Sequence, residues 1–115
     1  MTGSDAERCA EEFLKQHGLV LVQRNYRCRF GEIDLIMRDR SALVFVEVRM
    51  RASEFFGGAA SSITVLKRER IVRTARHYLA SLRGEPVCRF DAVLLSGREG
   101  EQIEWVKDAF GEFGA

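Results

Sequence analysis

The alternation of apolar and polar positions divides the chain into seven segments. Ala6, Cys9, Ala10, Phe13 and Leu14 recur at the i, i+3, i+4, i+7, i+8 spacing of an amphipathic helix, roughly Asp5 to His17. Ser4 as N-cap with Glu7 three residues on makes a capping box, and Gly18 follows as a left-handed stop. Leu19-Val20-Leu21-Val22 opens a first strand that runs through Tyr26 and Cys28 toward Phe30. Gly31 breaks that strand. Glu32 to Met37 then alternates, with Glu32, Asp34 and Ile36 on one face and Ile33, Leu35 and Met37 on the other. After Arg40-Ser41, Leu43-Val44-Phe45-Val46 is apolar on both faces, as in a strand covered above and below, and continues as Glu47-Val48-Arg49-Met50-Arg51.

Residues 52–62 read as a loop. In it Gly57-Gly58 permits mobility or a close backbone approach, and Phe55-Phe56 either anchors to the core or stacks on a base. From Thr64 to Leu82 the pattern is helical again, with Val65, Ile71, Val72, Ala75, Tyr78, Leu79 and Leu82 on one face. Gly84 and Pro86 end this helix. Val87 to Ser96 is a strand containing an Arg89–Asp91 structural pair, Gly97 and Gly100 mark a turn, and Gln102 to Lys107 is a last strand with Trp105 inward. Strand, helix, strand in one sheet implies a right-handed crossover and a parallel pair. The whole reads as one α/β domain over residues 1–115, order αβββαββ, with a mixed central sheet flanked by helices and a loose tail at 111–115.

The central hairpin carries acids where a buried strand should not. With Arg40-Ser41 as a two-residue loop, Asp34 lies directly opposite Glu47, and such pairs have Cβ atoms about 5 Å apart. Two half-buried carboxylates at that spacing repel, pushing one toward protonation. A hard divalent cation resolves the conflict, so the pattern predicts a Mg²⁺ or Mn²⁺ site at Asp34 and Glu47.

Charge changes the picture only once it is divided along the chain. The total is +1. Residues 1–18 carry two basic and four acidic side chains (−2), residues 19–83 thirteen and six (+7), and residues 84–115 three and seven (−4). A basic centre around an acidic hairpin suits an anionic polymer, and a solvated surface of uneven charge is the other reading. The same two readings hold for Arg24, Arg27, Arg29 and Arg51 on the strands. They hold also for the second helix, where Lys67, Arg68, Arg70, Arg73 and Arg76 are offset only by Glu69. Arginine forks suit phosphate, and basic strand edges also deter aggregation. Like charges along one helix cost a few tenths of a kcal/mol per pair, a cost that phosphates relieve.

Other chemistry recedes. Cys9, Cys28 and Cys88 are unpaired by spacing and sit in apolar patterns, as buried free thiols of a reducing cytoplasm do. With no Cys-x-x-Cys and only His17 and His77, a zinc site is not expected. No apolar run approaches the ~20 residues of a membrane span, and the first twelve residues lack a secretory signal's basic and apolar regions.

The placed residues carry a resemblance over nearly the whole chain. Ala6-Glu7, Arg24-Asn25-Tyr26-Arg27, Gly31-Glu32-Ile33-Asp34-Leu35-Ile36, Val44-Phe45-Val46-Glu47-Val48, Phe56-Gly57, Lys67 and Arg89-Phe90-Asp91 together resemble the YraN family, assigned to the restriction-endonuclease-like, PD-(D/E)XK nuclease superfamily. The resemblance implies a three-layer restriction-endonuclease-like fold and a metal-dependent endonuclease that hydrolyses DNA phosphodiester bonds. Asp34 and Glu47 match the superfamily's metal-binding acids, and Glu7 matches a first-helix glutamate that helps bind or orient the metal, which stands beside its capping role. The superfamily lysine falls at Arg49, a departure: arginine does not shed a proton to activate water but can neutralise developing phosphate charge. Lys67 is the candidate for an amine from another element. Arg24, Arg27, Arg29, Arg51, Lys67, Arg70 and Arg73 would hold the DNA backbone. Junction resolvases of the superfamily suggest branched, Holliday-junction-like DNA and a homodimer. The alternatives are a catalytically inactive nucleic-acid-binding module with the nuclease fold, and a protein-interaction domain.

Overall fold

The computed structural model describes residues 1–51 and 63–111. The loop expected at 52–62, with Phe55, Phe56, Gly57 and Gly58, and residues 112–115 of the expected tail lie outside the described residues. The elements are α1 (Gly3–Gln16), β1 (Val20–Cys28), β2 (Gly31–Asp39), β3 (Ala42–Arg51), α2 (Val65–Leu79), β4 (Cys88–Ser96) and β5 (Gln102–Phe110). Their order is the αβββαββ expected from the sequence.

α1 begins earlier than the apolar spacing suggests. Thr2 is its N-cap and shares a capping box with Asp5: the Asp5 N–H donates to Thr2 Oγ1 at 3.1 Å, and the Thr2 N–H to Asp5 Oδ2 at 3.0 Å. The Ser4–Glu7 box is therefore not formed, because Thr2-x-x-Asp5 offers the same two reciprocal bonds one half-turn earlier. Glu7 is left free of capping duty. Gly18, at φ +92°, takes the left-handed stop after the His17 C-cap, as expected.

The five strands lie in the order β1-β2-β3-β4-β5, and all neighbours are antiparallel except β3 and β4, which run parallel around the α2 crossover. The β2–β3 hairpin turns at Arg40-Ser41 in the expected register, from Asp39 opposite Ala42 to Leu35 opposite Val46. Two cores cover the two faces. Ala6, Ala10 and Leu14 of α1 pack on Leu35, Met37, Val44, Val46, Val93 and Leu95. Ile71, Ala75 and Tyr78 of α2 pack on Ile36, Phe45, Phe90 and Ala92. This doubly covered centre explains why Val44, Phe45 and Val46 are all apolar.

In β2 alternation fails next to Asp34. Ile33 packs with Ile36 in the α2-side core, not with Leu35 and Met37 as its parity requires. On β1, between the Arg24–Leu35 and Tyr26–Ile33 pairs, Asn25 sits at φ +48°; Arg24 on one side of it reaches α1, whereas Tyr26 on the other packs against Tyr78 of α2. The strand pair therefore rotates its faces about Asn25 and Asp34, an irregularity the side-chain pattern alone does not signal. Gly31, at φ +150°, permits the close pass of α2 here, since an added Cβ would meet Thr74 Oγ1 at 3.4 Å.

Smaller corrections follow from burial. Val65, placed on the apolar face of α2, is the first residue of the helix and is 68% exposed. The three cysteines are free, as expected, but half-buried. Arg89 and Asp91 do pair, Nε to Oδ1 at 3.0 Å. The fully buried Asp91 also accepts the Trp105 Nε1–H at 3.0 Å and the Asp108 N–H at 2.9 Å. Trp105→Phe removes one donor from a buried carboxylate and is expected to cost about 2 kcal/mol, read by denaturant unfolding, since hydrogen bonds to charged groups contribute about 1.5–3 kcal/mol. An unchanged midpoint would show the indole bond to be idle.

Candidate metal centre

Beyond Leu35 and Val46 the β2–β3 ladder gives way to a side chain. The Val48 N–H donates to Asp34 Oδ2 at 2.8 Å, so the carboxylate stands between the separating strands. Asp34 is half-buried, and Glu47 only 4% exposed. Burial raises the Asp34 pKa from 3.8 to about 7, helped by the charge of Glu47 and a proton-sharing contact with its carboxyl, and opposed by the Val48 N–H. The two carboxyls meet, although the ladder expected to set them opposite each other ends one pair earlier, at Leu35–Val46.

Two further acids complete the group. Glu7 of α1 and Glu32 of β2 offer carboxylate oxygens that lie, with one from Asp34, within 4.8 Å of one another. Asn25 links them, its Nδ2 donating to Glu7 Oε1 at 2.7 Å and to Glu32 Oε1 at 3.2 Å. Burial raises the pKa of Glu7 too, with the charges of Asp34 and Glu32 adding to it and the Asn25 bond opposing it. Asp34 is the shared member, touching the Glu7–Glu32 pair as well as Glu47. Sequence reasoning saw Glu32 on the same strand face but gave it no role. Its signal was the i, i+2 spacing to Asp34. Asn25 had no signal of its own, because its role depends on its left-handed backbone.

An all-oxygen, carboxylate-rich donor set fits Mg²⁺ or Mn²⁺ and disfavours softer metals. The raised proton affinity of Asp34 marks the same deficit of positive charge from another direction. One cation is already near. Lys67 Nζ lies 3.6 Å from Glu47 Oε1, carried there by the first turn of α2, whose Thr64 N-cap accepts the Lys67 N–H at 3.1 Å. An amine from α2 thus stands beside the β3 acid. Arg49, two residues beyond Glu47 on β3, is half-buried, and its Nε finds no hydrogen-bond partner among the described residues.

The other basic candidates divide. Arg24 is held by Glu11 through two bonds of 2.6 and 2.9 Å, tying β1 to α1. Arg27 pairs with Glu32 at 2.9 Å, and Arg51 with Glu104 at 3.3 Å. Arg29 lies over the Phe30 ring at 4.8 Å. Arg70 and Arg73 are exposed along α2, and Arg70 passes beside Gly31 at the start of β2. Of these candidates, Lys67, Arg70 and Arg73 carry an exposed or half-exposed charge on the helix that borders the acids.

No helix among the described residues is long and apolar enough to cross a membrane. Among known proteins, residues 6–95 match the model of the uncharacterised protein family UPF0102. A UPF0102 protein of Nitrosospira multiformis is 69% identical over 110 residues, spanning 96% of this chain and 92% of that protein. One from Nitrosomonas europaea is 63% identical over 110 residues, spanning 96% and 93%. With a match of that extent and relatives of that similarity along nearly their full length, the chain belongs to the UPF0102 family.

Proposed function

We propose that this protein is a Mg²⁺- or Mn²⁺-dependent endonuclease with a restriction-endonuclease-like, PD-(D/E)XK architecture, hydrolysing DNA phosphodiester bonds. The observation that carries the proposal is the convergence of buried Glu47 with Asp34, whose proton affinity is raised to about 7, beside the Lys67 amine. Asp34 and Glu47 would hold the ion, with Glu7 and Glu32 on the far side of Asp34. When bound, such an ion polarises the scissile phosphate and lowers the pKa of a coordinated water. The Val48 N–H fixes the orientation of Asp34. Lys67 is close enough to Glu47 to orient it and to place a positive charge at its edge. Arg49 retains an unanswered Nε–H that suits the charge developing on phosphate oxygens. Arg70 and Arg73 would grip the backbone without reading sequence.

The second reading, a nucleic-acid-binding module without catalysis, is favoured by arginine at position 49. The two separate on cleavage of branched and linear DNA by the purified protein in Mn²⁺, with chelator as control. Metal-dependent product supports the nuclease. Salt-sensitive retardation of either DNA without cleavage supports the module. Neither retardation nor cleavage at low salt overturns both.

A further inference from the structure

A second concave region lies at the other end of the sheet. It is an open cleft of about 660 Å³ below the C-terminus of α1, with His17, Arg40, Ser41, Arg89, Trp105 and Lys107 around it. Asp39, at its rim, is five residues along β2 from Asp34. At a strand rise of about 3.3 Å per residue this is on the order of 17 Å, so the cleft is separate from the acidic centre. Ligand pockets commonly enclose about 300–1,000 Å³, a range that includes this one.

The charges on the floor of the cleft are paired. Arg89 is bound to Asp91 and, through NH2, to Asp39 at 3.0 Å. The indole of Trp105 is fixed by its bond to Asp91, and the His17 ring meets it edge-on with centroids 5.7 Å apart. His17 Nδ1 faces the Phe13 carbonyl oxygen at 2.8 Å and must carry the proton, which leaves Nε2 unengaged among the described residues. Two cations remain unanswered by acids. Lys107 lies over the Trp105 ring at 4.4 Å, and Arg40 makes no ion pair among the described residues. Arg40 also sits at φ +59°, a turn position where glycine or asparagine is less strained.

We propose that this cleft binds a nucleotide, its phosphate held by Arg40 and Lys107 and its planar base packed against the Trp105–His17 pair. Arg40 and Lys107 supply the positive charge for the phosphate, and Trp105, whose ring Lys107 covers at 4.4 Å, offers its face to the base once that ammonium turns to the phosphate. The ligand is either a free mononucleotide or a terminal nucleotide of a strand. The proposal stands independently of the nuclease reading.

Trp105 is the chain's one tryptophan, so its fluorescence reports the site directly. The protein is titrated with inorganic phosphate, with deoxyadenosine 5′-monophosphate and with a short single-stranded oligonucleotide. A saturable response is expected, with the mononucleotide binding about tenfold or more tighter than phosphate. Tighter binding of the oligonucleotide than of the mononucleotide, weakened in Arg40→Gly, identifies a strand end as the ligand, and the reverse order identifies the free nucleotide. Arg40→Gly, which relieves the left-handed backbone, is expected to weaken binding about tenfold without lowering the melting temperature. Lys107→Gln should weaken it similarly, and Asp34→Ala should leave it intact. Absence of a saturable response to all three ligands in the millimolar range, equal affinity for phosphate and mononucleotide, or unchanged affinity in both cation variants would overturn the proposal.

Discussion

Asp34→Ala and Glu47→Ala are each expected to reduce Mn²⁺-dependent DNA cleavage by about a thousandfold or more, a barrier increase of roughly 4 kcal/mol. The reason is electrostatic. Each carboxylate supplies a formal charge in a buried setting, where a missing ligand is not replaced by solvent at equal strength. The two effects should be far from additive, because either loss disables the same ion. Lys67→Ala acts on the surroundings of Glu47 and should slow cleavage less, leaving metal affinity nearly intact. The check is single-turnover cleavage of one labelled substrate by all three variants at saturating Mn²⁺. Activity that survives both acid substitutions would remove this site from the mechanism.

Asp34→Asn should have the opposite sign on stability. In the folded, metal-free protein the Asp34 carboxyl titrates at about 7, against 3.8 for its ordinary value. Between those two values the folded state keeps a proton that the unfolded chain has released, so stability falls as pH rises through that window. Above it the penalty is complete. At about 1.4 kcal/mol per pH unit the shift bounds it near 4 kcal/mol, and the partial exposure of Asp34 reduces that to about 3 kcal/mol. An asparagine stays neutral and still accepts the Val48 N–H. The metal-free variant should therefore match wild type near pH 4 and exceed it by about 3 kcal/mol at pH 8, on the order of 10 °C in melting temperature. Mn²⁺ should close the gap by stabilising wild type alone. Equal stability across the whole range would mean that Asp34 carries no strained charge.

The hairpin explains how much of this was legible beforehand. Val44, Phe45 and Val46 can be apolar together only in a strand covered on both faces, and a two-residue loop leaves one register. From these two constraints the opposition of Asp34 and Glu47 follows, and the α/β order follows from the helical spacing of Ile71, Ala75 and Tyr78. Local competition set the limits. Ser4–Glu7 and Thr2–Asp5 are both acceptable capping boxes by spacing, and the one that forms, Thr2–Asp5, frees Glu7. The face change between Ile33 and Leu35 depends on the positive φ of Asn25, which no hydrophobic period encodes. Glu32 and Asn25 consequently escaped notice as members of the acidic group. Arg24 looked like a phosphate ligand because sequence does not reveal that Glu11, thirteen residues earlier, lies beneath it.

The central claim is that Asp34 and Glu47 together bind one divalent cation. It is tested most directly by calorimetric titration of the metal-free protein with Mn²⁺ in buffers of differing ionisation heat, at pH 6 and pH 8. A saturable event is predicted that weakens at pH 6, releases a proton there as Asp34 ionises, and disappears in Asp34→Ala and in Glu47→Ala. Binding of equal affinity in wild type and in both variants would contradict it.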